Sequence, residues 1–164
     1  MKKNAFLLLG LIALAACNNN EKEIRHTAQG YLEAMGNYCP AEARPFATPQ
    51  TCNITLDFFE KVVAQTDPEV YADNMPASFT IQDIAIDDSL AEVSYHKSTP
   101  SKEYDGILHC VQRDGRWLVN EVLNIPPIMR AAVDTAIAGK VIDSASINSM
   151  RRISPQHPLA DSGR

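Results

Sequence analysis

Two periodicities divide this chain, and their order restricts it to one fold class. From Ile24 the apolar residues Ile24, Ala28, Tyr31, Leu32 and Met35 fall three or four positions apart, one face of an amphipathic helix that Gly36-Asn37 ends. A short proline-broken helical piece follows around Ala41 to Arg44. Asn53 or Thr55 then caps a helix whose face is Leu56, Phe59 and Val63, with Phe58 and Val62 beside it. After the Pro- and Asp-rich connection of residues 66–78 the period becomes two. Phe79, Ile81, Ile84 and Ile86 predict a strand bulged near Asp83, and Asp87-Asp88 predicts a turn. Leu90 to Lys97 alternates with Ala91, Val93 and Tyr95 on one side. Tyr104 to Arg113 is a third strand, Asp114-Gly115 a two-residue hairpin, and Arg116 to Leu123 the return, with Trp117, Val119 and Glu121 alternating. Helices followed by a four-stranded antiparallel meander predict the α+β class, with the helices packed on one face of a curved sheet.

Particular residues sharpen this. Ala28, Tyr31, Leu32, Ala34 and Tyr38 at the end of the first helix, the Ile84-x-Ile86-Asp87-Asp88-x-x-Ala91-x-Val93 hairpin, and Leu108 to Val111 followed by Asp114-Gly115-x-Trp117-x-Val119 resemble the nuclear-transport-factor-2-like superfamily. The likeness is in particular to its small lipoprotein-borne members of unknown function from Gram-negative bacteria. It covers residues 22–123 and implies a cone-shaped fold with a pocket between sheet and helices. It implies no single activity, because that superfamily includes isomerases, dehydratases and many non-enzymes. Its catalytic members use an Asp or His inside the cone, helped by a Tyr, which singles out Tyr31, Tyr38, His96, Asp105 and His109 here. His109 alternates with Ile107 and Val111 and is expected to share their buried face, whereas His96 is out of phase with Val93 and Tyr95 and faces solvent. The expected pocket lining is Tyr31, Tyr38, His109, Val111 and Trp117. No catalytic residue is assigned; His109, helped by Asp105 or a helix Tyr, is the candidate.

The N-terminus carries an address. Met1-Lys2-Lys3 precedes an apolar run from Ala5 to Ala13 and then Leu14-Ala15-Ala16-Cys17, the order of a secretory signal. The run is about a dozen residues where a membrane-spanning helix needs roughly twenty. Leu-Ala-Ala-Cys resembles the lipobox of bacterial lipoproteins, which implies a lipid-modified Cys17, cleavage before it, and a palmitate-type membrane anchor. Asn18, in place of an Asp, favours the outer membrane. The chain then divides into a signal peptide (1–16), a tether (17–23), the cone-like domain (24–123), a helical extension opened by Pro126-Pro127 (124–153) and a disordered tail (154–164). The extension is expected to pack back on its own sheet, with docking to a partner as the alternative.

The formal net charge of −5, more acidic once Lys2 and Lys3 are removed, excludes a nucleic-acid partner. Besides Cys17 the chain holds Cys39, Cys52 and Cys110. Twelve residues with three prolines separate Cys39 from Cys52, a loop that a disulfide would stabilise by about 3 kcal/mol. That pair is the expected bridge, and Cys110 is expected as a buried small hydrophobe. Zinc-ligand spacing, a phosphate-binding glycine loop and a nucleophile elbow are absent from the sequence, so no metal or cofactor is expected. Asp88-Ser89-Leu90, Asp134-Thr135-Ala136 and Asp143-Ser144-Ala145 resemble the tripeptide that some Bacteroidetes glycosylate on exported proteins. The reading that unites these features is a lipid-anchored envelope protein. Its domain binds a small apolar ligand or another envelope component without catalysis; a pocket isomerase, dehydratase or hydrolase using His109, and a purely structural interaction module, are the alternatives.

Overall fold

The structure, a computed structural model, describes the backbone of residues 4–137 and the side chains of residues 19–135. The Cys17 side chain, the later part of the extension and the 154–164 tail lie outside the described residues. Helix α1 (Asn4–Gly36) runs without interruption through residues 17–23, where the sequence predicts a tether. The correction has a physical cause: Glu21 pairs with Arg25 one turn on, and Glu23 accepts the Trp117 backbone N–H at 3.0 Å, so this stretch is fastened to the domain. Among the described residues, no helix is long and apolar enough to cross a membrane.

The face of α1 predicted from its period is the buried one, with Ile24, Ala28, Tyr31 and Leu32 all in the core. Its end is sharper than Gly36-Asn37 alone would give. Tyr38 takes a left-handed conformation, φ 59°, and the Cys39 N–H reaches back to the Ala34 carbonyl at 2.9 Å, a Schellman-type stop. Stacking of Tyr38 on Tyr71, ring centroids 4.0 Å apart, accompanies this strained backbone. Gly36 itself is needed for contact, since a Cβ there would lie 2.4 Å from the Phe79 ring.

Short pieces follow: α2 (Pro40–Ala43), a 3₁₀ turn (Arg44–Phe46), α3 (Pro49–Thr51), a π turn (Cys52–Leu56), α4 (Asp57–Gln65) and α5 (Glu69–Ala72). The loop between Cys39 and Cys52 is held by threonines rather than by a bridge. Thr48 caps α3, its N–H donates to the Val119 carbonyl at 2.9 Å, and Thr51, fully buried, donates its hydroxyl to the same carbonyl. Cys39 and Cys52 are free thiols directed at different carbonyls, Cys39 at Asn37 and Cys52 at Arg44 and Ala47. This corrects the expected disulfide. Cys110 is buried, as expected.

The sheet is a meander in the order β1 (Ser78–Asp87), β2 (Leu90–Ser98), β3 (Glu103–Arg113), β4 (Arg116–Val119), every pair antiparallel. The predicted bulge falls between Ile81 and Asp83. Asp88, Asp114 and Gly115 supply the positive φ that the two tight turns require. The inner face carries Ala91, Val93, Leu108, Cys110, Trp117 and Val119, packed in one cluster with the α1 face and Leu56. Strand β4 stops at Val119, short of the Leu123 the alternation predicts. Beyond it, α6 (Pro127–Ile137) begins with proline in its first turn, buries Val133, and packs on α4 rather than on the sheet, with Lys61 and Asp134 paired at 3.0 Å.

Candidate functional site

The five expected pocket residues do not converge. Tyr31 and Trp117, 5% and 1% exposed, belong to the closed core. Burial, with the Glu121 carboxylate adding to it, raises the Tyr31 hydroxyl far above the usual phenol range. Tyr38 sits at the end of α1 on Tyr71. His109 and Val111 are on the opposite side of the sheet. Leu108 and Cys110 point inward, so the period of two sends Ile107, His109 and Val111 outward. Val111 is buried because Leu90 and Leu118, its register partners on either side, form an apolar row across the outer face. That row, not the core, explains the apolar character of Val111, two residues from His109.

His109 is 57% exposed, with Nδ1 2.8 Å from Glu121 and Nε2 3.9 Å from Glu92. Its companion is therefore Glu121, and Asp105 belongs instead to His96, at 2.9 Å, with Glu103 at 3.9 Å from that ring. His96 faces outward as expected. Sequence reasoning missed Glu121, because its position beside His109 depends on the chain leaving the sheet after Val119. Of the three glycosylation-like tripeptides, Ser89 lies exposed in the β1–β2 turn and Thr135 on α6, where its hydroxyl donates to the Ala131 carbonyl; the third lies outside the described residues.

At the other end of the sheet, aromatic residues gather on the inner side. Phe79 and Tyr95 lie with centroids 6.0 Å apart, and the Lys97 ammonium stands 5.4 Å over Phe79 and 5.6 Å over Tyr104, with Lys102 5.8 Å from the same Tyr104 ring. Gly106 makes this packing possible, since a Cβ there would lie 2.5 Å from Tyr95 Cζ. Clefts also open elsewhere among the described residues. One of about 520 Å³ runs beside α1, between His26, Glu33, Glu42 and Phe46; another of about 350 Å³ lies between α4 and α6.

The interior sets a pH limit on the fold. Burial pushes the Cys110 thiol up to about 12, helped by the Glu121 carboxylate, and pushes the Tyr95 hydroxyl up to about 12, helped by Tyr104. Both groups hold their protons more firmly when folded than when unfolded. Their contribution to stability is whole below the ordinary values of 9.0 and 10.0 and is lost as pH rises toward about 12. Thermal melts followed by circular dichroism should therefore show a constant midpoint up to pH 9 and a falling one above it. Cys110→Ala should flatten the earlier part of that fall; an unchanged profile would show that the thiol does not contribute.

No family model matches the chain, and no curated protein is similar to it at a significant level. Among solved structures it is similar to an NTF2-like protein of unknown function from Shewanella baltica OS155, at 14% identity and a TM-score of 0.47, over 62% of this chain and 88% of that one. A de novo designed protein with a curved β-sheet matches at 11% identity and a TM-score of 0.39, over 71% and 96%. A de novo designed NTF2 fold protein matches at 13% identity and a TM-score of 0.37, over 72% and 95%. The chain's own architecture, helices followed by a curved four-stranded antiparallel meander, is the α+β arrangement that the resemblance in its sequence implies.

Proposed function

We propose that this chain is a lipid-anchored bacterial envelope protein whose folded domain is a non-enzymatic binding module for another envelope component. The placement of His109 carries the second half of this reading. The residue best suited to acid–base work stands on the exposed outer face of the sheet, where no described residue shields a reacting group from water. A partner protein is favoured over a small apolar ligand because Tyr31, Leu56, Val93 and Trp117, from helices and sheet alike, belong to one buried cluster. The anchor rests on Leu14-Ala15-Ala16-Cys17, and the outer membrane on Asn18.

Two measurements test it. Cys17→Ser should abolish labelling by radioactive palmitate and release the protein from the membrane fraction as an unprocessed precursor; a mutant that still takes up label refutes the anchor. Native mass spectrometry of wild-type protein extracted in mild detergent should show a protein complex. A stoichiometric small-molecule adduct would reverse the choice of partner.

A further inference from the structure

Strand β3 is longer than the strand that covers it. It pairs with β2 from Glu103 to Val111, but β4 reaches only Cys110 to Arg113. In an antiparallel ladder, alternate residues send both backbone groups to the same side. Gln112 donates its N–H toward β2, to the Ser89 carbonyl at 2.8 Å. His109, of opposite parity, faces the other way: its carbonyl accepts from the Asn120 N–H at 2.9 Å and its N–H donates to the Glu121 carboxylate at 2.8 Å. Asp105 and Ile107 share the parity of His109. Their N–H and C=O groups point away from β2, and no described residue hydrogen-bonds to them.

Elsewhere α1 covers the sheet margins with side chains. Glu23 and Thr27 engage the N–H and C=O of Trp117, while Gln29 and Arg25 donate to the carbonyls of Phe79 and Ile81. No described residue covers the β3 stretch in this way, and between 103 and 107 it carries no lysine, proline or bulge of the kind that protects an exposed edge. Its apolar residues are also open, Tyr104 at 42% and Ile107 at 48% exposure.

We propose that the β3 edge from residue 103 to 107 binds an extended segment of a partner protein as an added fifth strand, one whose side chains alternate basic and apolar. The alternation follows from the two faces. On the outer face an added strand lies beside the carboxylates of Glu103 and Asp105, with Glu92 farther along the same face on β2. Lys or Arg complements these groups across the strands. On the inner face it meets the Tyr104 ring and the gap at Gly106, where Lys97 and Lys102 already stand over the aromatic surface and repel a second cation. Apolar residues fit there. Main-chain hydrogen bonds supply affinity in this mode and alternate side chains supply specificity.

The proposal rests on the domain being a binding module, and its test separates the two. The probe is the acetylated, amidated hexapeptide Arg-Val-Arg-Val-Arg-Val, titrated into full-length protein in detergent and followed by fluorescence anisotropy and amide hydrogen exchange. The amides of Asp105 and Ile107 should slow at least tenfold on saturation, while those of Gly106 and Leu108, already in the ladder to β2, stay unchanged. Of two peptides N-methylated at either the Arg or the Val positions, one should bind at least tenfold more weakly and the other as the parent does, because only one row of N–H groups faces β3. A Glu-Val counterpart should bind at least tenfold more weakly too, as should the parent peptide to Ile107→Pro, which removes an edge N–H that no strand uses. Equal binding of both methylated peptides overturns the proposal whether or not the proline variant folds. Asp105 and Ile107 amides already protected without peptide overturn it as well, since the chain itself would then occupy the edge. Peptide binding with those two amides unaffected overturns the edge alone and leaves the binding-module reading standing.

Discussion

Trp117→Ala should destabilise the domain by about 3–5 kcal/mol, lowering the thermal midpoint by roughly 10–20 °C for a domain of this size. Trp117 is 1% exposed and is the largest fully buried side chain, yet it sits on a strand of four residues. So short a strand has few ladder hydrogen bonds of its own. It is held by the ring packed into the core and by α1, whose Glu23 and Thr27 bond the Trp117 backbone. Removing the ring therefore weakens the contact between sheet and helix as well as leaving a cavity. Trp117→Phe separates ring size from polarity. The indole N–H is buried without a hydrogen-bond partner, so phenylalanine removes an unsatisfied donor while keeping much of the packing, and should cost about 1–2 kcal/mol. Circular dichroism is the appropriate readout, because the chain has one tryptophan and the mutation removes its fluorescence. A loss below about 1 kcal/mol for the alanine variant would show that β4 is held by something other than this side chain.

What was legible in the sequence is what local chemistry decides. The α1 face, the bulge near Asp83 and the two Asp-containing turns follow from period and from backbone preference at Asp88, Asp114 and Gly115, and the structure has them. What depended on distant residues was not legible. The outward phase of His109 was hidden because Val111 is buried by Leu90 and Leu118 on the outer face, so an apolar neighbour did not mean an inward one. The Cys39 to Cys52 loop has its staples in Thr48 and Thr51, bonded to Val119, sixty-eight residues from Thr51 along the chain. The helical state of residues 17–23 depends on Glu23 finding Trp117. In the candidate site the aromatic residues of β2 and β3 could be named from sequence, but the open edge beside them could not, since alternation continues past Val119 to Leu123 without recording where pairing stops.

Thr55 holds the chain just beyond the point where pairing stops, and Thr55→Val should cost about 1–3 kcal/mol despite the near-identical shape of the side chains. Thr55 is 2% exposed on the π turn, and its hydroxyl donates to the Glu121 carbonyl at 2.7 Å while accepting the Leu123 N–H at 3.1 Å. These backbone groups have the parity of Trp117 and Val119, whose own groups face away from β3 toward Glu23, Thr27 and Thr48, so Thr55 grips the chain from the side opposite β3. Bound to Thr55, they draw residues 121–123 toward the helices, leaving Glu121 to cap the N–H of His109 and β3 without a described partner strand from there to Glu103. Valine removes the bridge and leaves one carbonyl and one N–H without their partner, which is the source of the cost. The same change frees the segment to follow β3. Hydrogen exchange should accordingly show the Leu123 amide at least tenfold faster in the variant, with the Ile107 amide unchanged or slower. A variant of unaltered stability and unaltered Leu123 exchange would mean that the course of the chain after Val119 is set elsewhere, and that Thr55 only occupies space beneath it.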